Sequence, residues 1–100
     1  MSLEDLAACR RRIDAVDLEI LALLNDRTKI VEEIGQIKQR LGMPIYEPKR
    51  EDDVFRNVLE NNAGPLPPEA VKRLFERIID EMRTLQRMRR EENPYPHSAI

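Results

Sequence analysis

Residues 3–41 repeat apolar side chains at three- and four-residue steps, with no proline and one internal glycine, Gly35. Leu3, Leu6, Ile13, Val16, Ile20, Leu23, Leu24, Ile30, Ile34, Ile37 and Leu41 form the stripe, the mark of an amphipathic helix. A helix over this stretch would be about 58 Å long. A compact chain of 100 residues has a radius of gyration of only about 13 Å. The helix must therefore break or be covered by another chain, and a stripe this long without a stop points to an oligomer. A dimer is expected, because two-fold closure is the commonest.

Two more helices follow. Leu41-Gly42 with Pro44 stops the first, and Met43 to Glu47 forms a connector. Pro48 opens a second helix, with Glu47, Glu51, Asp52 and Asp53 near its positive end. Its apolar face is Val54, Phe55, Val58 and Leu59, and Asn61 to Pro65 ends it. Pro67-Pro68-Glu69 opens a third helix, with a stripe of Val71, Leu74, Phe75, Ile78, Ile79, Met82, Leu85 and Met88. Residues 1–90 thus read as one all-α domain, and residues 91–100 as a flexible tail or the start of a linker.

Composition narrows the function. Charged residues make up 36% and aromatics 4%, and 17 cations face 19 carboxylates. That balance gives no pull toward nucleic acid. No apolar run reaches membrane-spanning length, and the N-terminus lacks the form of a secretory signal. The single Cys9 fits a reducing compartment. A cytoplasmic enzyme or binding module is expected, with no membrane or nucleic-acid partner.

Polar residues intrude where apolar ones belong. Arg27 and Lys38 lie in or beside the first stripe, roughly 20° apart in rotation and about 16 Å apart along the axis. Buried charge is costly unless paired, and no local carboxylate is evident. Either they snorkel to the helix edge, or they await a small dianion. Gln86 falls on the face of Phe75, Ile79 and Met82. It is either bonded to backbone or aimed at a substrate oxygen. Arg50-Glu51 stands in the first turn of the second helix, as an exposed charged turn or as polar contacts to a ligand. Arg10 is about 25 Å from Arg27 along the axis. It can reach such a site only across a dimer, from an antiparallel partner helix. The one histidine, His97, lies in the tail. No cluster has metal-ligand spacing, and no nucleophile has a credible base. The set can bind and orient an anion and stabilise growing charge.

In order along the chain stand Arg10-x-x-Ile13-Asp14-x-Val16-Asp17, Leu21-x-Leu23-Leu24-x-x-Arg27, Ile34-Gly35-x-x-Lys38 and Pro44-Ile45-x-x-x-x-Arg50-Glu51. Leu74-Phe75-x-x-Ile78-Ile79 and then Gln86 complete the series. This ordered set, over about residues 5–90, resembles the all-helical class of chorismate mutases. The resemblance implies an intertwined homodimer of three-helix chains that converts chorismate to prephenate without cofactor or metal. It implies that Arg27, with Arg10 from the partner chain, clamps the two substrate carboxylates. Lys38 and Gln86 would meet the ether oxygen, and Glu51 would accept from the ring hydroxyl, helped by the backbone near Glu47. Arg50 would add charge at the edge.

Two positions depart from the family pattern. Met82 replaces a small hydroxyl residue, so one substrate hydrogen bond is lost or taken over by a neighbour. Arg83, the nearest candidate, is expected to point elsewhere. Glu47 replaces a frequent aspartate, at a position expected to act through its backbone. An isochorismate pyruvate lyase, similar in fold and cationic site, is the alternative enzyme. A non-catalytic helical dimer is the alternative outside catalysis. Members of the family are often fused to another enzyme of aromatic amino-acid synthesis, and residues 91–100 would suit a fusion junction as well as a free end.

Overall fold

The computed structural model describes residues 1–93. It contains three helices, α1 (Leu3–Arg40), α2 (Pro48–Glu60) and α3 (Pro68–Glu92). The chain falls into two compact units, Met1–Ile30 and Val31–Ile100. Helix α3 continues two residues past the expected end at Arg90. Asn93 caps its end, and the rest of the expected tail, residues 94–100 with His97, lies outside the described residues.

The first unit is the N-terminal part of α1. Ser2 caps it: its hydroxyl accepts from the Asp5 amide at 3.1 Å, while the Asp5 carboxylate accepts from the Ser2 amide at 2.9 Å. This reciprocal pair satisfies donors that a helix start leaves open. The apolar stripe in this unit is exposed, with Ile13 at 59%, Val16 at 51% and Leu23 at 66%.

In the second unit α1 buries a different face. Val31 and Lys38 are buried, seven residues apart on one side. Ile34, Ile37 and Leu41, of the expected stripe, stay exposed. Helices α2 and α3 pack against each other. Both begin with a proline in the first turn, as expected. Val71 and Ile79 of α3 join Val31 as the buried apolar side chains among the described residues. Gly35 faces Gln86 of α3, whose Cγ would meet an added Cβ at 3.5 Å, an ordinary van der Waals contact.

The stop at the end of α1 has a specific geometry. Gly42 adopts φ 67°, a left-handed conformation open to glycine at little cost. Its amide bonds the Gln39 carbonyl at 3.2 Å, and the Met43 amide bonds the Lys38 carbonyl at 2.8 Å. These are the two bonds of a Schellman motif.

Candidate active site

The Schellman turn sends the connector back over the last turn of α1, and Lys38 receives it. Lys38 is only 8% exposed. Its ammonium donates to the Ile45 carbonyl at 2.9 Å and pairs with Glu47 Oε1 at 2.7 Å. A local carboxylate is therefore present after all: it lies nine positions ahead in sequence and is folded back by the turn. Glu47 also takes part through its side chain. Its side chain is half-buried and acts directly, as the counter-ion of Lys38. An ammonium has three donors in fixed tetrahedral relation. With two held by Ile45 and Glu47, the direction of the third is set.

A second cluster forms where α2 meets α3. Arg83 Nη2 lies 3.2 Å from Glu51 Oε1 and 3.1 Å from Oε2. The same nitrogen reaches Asp80 Oδ1 at 3.2 Å, and the guanidinium carbon sits 5.1 Å from the centre of the Tyr46 ring. Arg83 thus points at Glu51, an expected site residue. Sequence reasoning gave no site role to Arg83 or to Tyr46. A signal existed for Arg83, because it follows buried Ile79 by four residues and so shares its face. That is the rule that exposes Lys38.

Gln86 is half-buried, and its stem meets α1 at Gly35, one turn before Lys38. Its Oε1 is buried and has no hydrogen-bond partner among the described residues. The Gln86 side chain borders a cleft of about 160 Å³, together with Gly35, Gln36, Gln39, Arg89 and Arg90. The last turn of α3 is fastened around this cleft. Arg89 pairs with Glu32 at 3.4 Å, Gln39 Nε2 donates to the Asn93 carbonyl at 2.5 Å, and Arg90 Nη1 donates to the Met43 carbonyl at 3.1 Å.

The second unit therefore assembles Lys38 with Glu47, Glu51 with Arg83, and Gln86 beside Gly35. Met82 is half-buried on the turn of α3 that precedes Gln86, while Arg50 is exposed. In the first unit Arg27 is half-buried and Arg10 exposed. Among the described residues no group of three or more His, Cys, Asp or Glu side chains is placed to hold a metal ion. No helix among them is long and apolar enough to cross a membrane. What the second unit offers is a fixed ammonium, an amide whose buried oxygen has no partner among the described residues, and a paired carboxylate. A fixed ammonium can stabilise negative charge that develops within one bound molecule.

Comparison with known proteins is consistent across sequence and structure. Residues 9–87 match the family described as chorismate mutase type II. A bifunctional chorismate mutase/prephenate dehydratase of Aquifex aeolicus is 37% identical over 89 residues, covering 85% of this chain and 25% of that protein. The chain thus spans about a quarter of the length of this bifunctional relative. A chorismate mutase of Methanocaldococcus jannaschii is 29% identical, covering 90% of this chain and 92% of that protein. Among solved structures, form II of the chorismate mutase of Thermus thermophilus superposes with a TM-score of 0.81 at 37% identity, over 83% of this chain and 94% of that one.

Proposed function

The chain belongs to the chorismate mutase type II family, and from that premise we propose that it rearranges chorismate to prephenate. The reaction is an intramolecular Claisen rearrangement: the ether C–O bond breaks as a C–C bond forms, and nothing enters or leaves. Negative charge grows on the ether oxygen in the transition state. The observation that carries the reading is the Lys38 ammonium, which is buried and held by the Ile45 carbonyl and Glu47. Its third N–H is the donor assigned to that oxygen. A donor fixed before reaction stabilises developing charge without reorganising. Because the charge is larger in the transition state than in bound chorismate, the contact raises turnover rather than only binding.

Gln86 is assigned to the same oxygen from α3, and Glu51 to the ring hydroxyl. Arg27, with Arg10 of the partner subunit, is assigned to the two carboxylates, and Arg50 to the edge of the site. A clamp of this kind holds a flexible substrate in its compact reactive shape. The cross-subunit role requires an intertwined homodimer. Support comes from the apolar side chains left exposed along α1, including Ile13, Val16, Leu23, Ile30 and Ile37. Unpartnered apolar surface of this extent marks an interaction face.

The test is to incubate the purified protein with chorismate, and separately with isochorismate, and to identify products by chromatography. Prephenate from chorismate is expected. Salicylate and pyruvate from isochorismate, with little prephenate, would replace the mutase by the lyase. No turnover by a folded dimer would favour a binding role.

A further inference from the structure

Arg83 makes its contacts in an uneconomical way. An arginine paired to a carboxylate for stability ordinarily uses two nitrogens in a parallel fork. Here one nitrogen, Nη2, carries the contacts to both oxygens of Glu51 and to Asp80. The Nε is buried with no partner among the described residues. The Tyr46 ring, 5.1 Å from the guanidinium carbon, restricts the plane in which the group can lie. The arrangement gives up a hydrogen bond and holds the Glu51 carboxylate by a single point. A carboxylate has about four lone-pair directions, so this grip leaves others open for a hydroxyl donor.

We infer that Arg83, backed by Tyr46, is a positioning residue that aims Glu51 and so makes the site selective for a substrate bearing a ring hydroxyl. The inference rests on the mutase reading and on the assignment of Glu51 to that hydroxyl. It adds a residue from α3 that touches no substrate atom and acts through its neighbour. Arg83 is 30% exposed and Glu51 22% exposed at the side chain, so solvent does not fully screen the pair. Without Arg83 the carboxylate would be free to swing, and its hydrogen bond to the hydroxyl would weaken. The rest of the substrate would be held as before.

The experiment compares kcat/KM for chorismate and for an analogue lacking the ring hydroxyl, both measured on the same preparation. The ratio of the two is independent of how much protein is folded. The wild-type chain should prefer chorismate by about 10- to 100-fold, the range for a hydrogen bond to a charged group. Arg83→Met should reduce that preference to within about 3-fold, mainly by slowing chorismate, and Glu51→Gln should do the same. The double variant should lose little beyond either single one. Arg83→Lys should restore part of the preference, since an ammonium supplies the charge without the planar stack. An unchanged ratio in Arg83→Met overturns the inference. So does an equal loss on both substrates, which would make Arg83 a scaffold residue. A wild-type chain that rearranges chorismate without preferring it overturns the role of Glu51 and this inference with it. A wild-type chain inert toward chorismate defeats the reaction itself, together with what is built on it.

Discussion

Gln86→Met should make the protein more stable and nearly inactive at once. Glutamine and methionine have similar length and volume, so the change conserves packing. The stem of residue 86 lies against Gly35, where a Cβ would stand 3.5 Å from Gln86 Cγ, and methionine keeps that stem. What changes is the head. Gln86 Oε1 is buried without a partner among the described residues, and an unsatisfied buried acceptor costs about 1–3 kcal/mol. The residue is half-buried rather than fully enclosed, so the low end applies and the gain should be about 1 kcal/mol. For a domain of this size that is a rise in Tm of about 4–8 °C. Activity should move the other way, because a fixed donor to developing charge is worth about 100-fold or more in kcat. Thermal unfolding followed by circular dichroism would measure the first effect. Protein concentration must be matched, since the Tm of a dimer depends on it. Chorismate consumption would measure the second. A lower Tm would show that the amide is satisfied or that the site needs its polarity, and undiminished turnover would remove Gln86 from the chemistry.

Other outcomes follow from the same geometry. Lys38→Met should abolish most turnover yet leave the helical fold intact by circular dichroism; near-normal activity would defeat its role. Glu47→Gln should destabilise more than Lys38→Met, since it strands a buried ammonium whereas the converse leaves a carboxylate with access to water. Denaturant titration of the two variants gives the order, and the reverse order would mean that Glu47 is not the necessary counter-ion. Gly42→Ala should cost about 1–2 kcal/mol from backbone conformation alone, because φ is 67° and nothing lies within 4 Å of the added Cβ; an unchanged unfolding midpoint would count against the Schellman stop. Mixing inactive Arg10→Ala and Lys38→Ala chains under subunit exchange should restore part of the activity. No recovery in verified heterodimers would argue against a shared site.

Local rules made the helices legible. Proline at the start of α2 and α3, and Gly42 after α1, act on neighbouring backbone, and the structure places the boundaries within about two residues of where those signals put them. The stripe along α1 was also visible, but not which face the chain would use for itself. Val31 and Lys38 are buried while Ile30, Ile34 and Ile37 are exposed, a division set by tertiary packing, for Lys38 by the returning connector, and not by periodicity. At the site, Lys38, Glu51 and Gln86 stood out as polar residues on apolar faces or at a helix start. Their partners did not. Glu47 reaches Lys38 only because a Schellman turn reverses the chain. Arg83 reaches Glu51 only because α3 lies beside α2, across 32 positions of sequence. Pairings made by tertiary folding leave no periodic trace.

The connector between α1 and α2 also bears on how such a chain can vary. Loops are usually where homologous chains gain and lose residues without harm. This one is closed on itself, because Lys38 holds it at both ends: the backbone carbonyl accepts from Met43, and the side-chain ammonium takes Ile45 and Glu47. Arg90 adds a third tie, at the Met43 carbonyl. One inserted residue would shift the register of at least one of these bonds. Asn62, in the segment between α2 and α3, bonds nearby backbone, through the Leu66 carbonyl and the Gly64 amide. Length change should therefore collect between α2 and α3, and residues 42–47 should behave as a ruler whose span is set by the reach of one lysine.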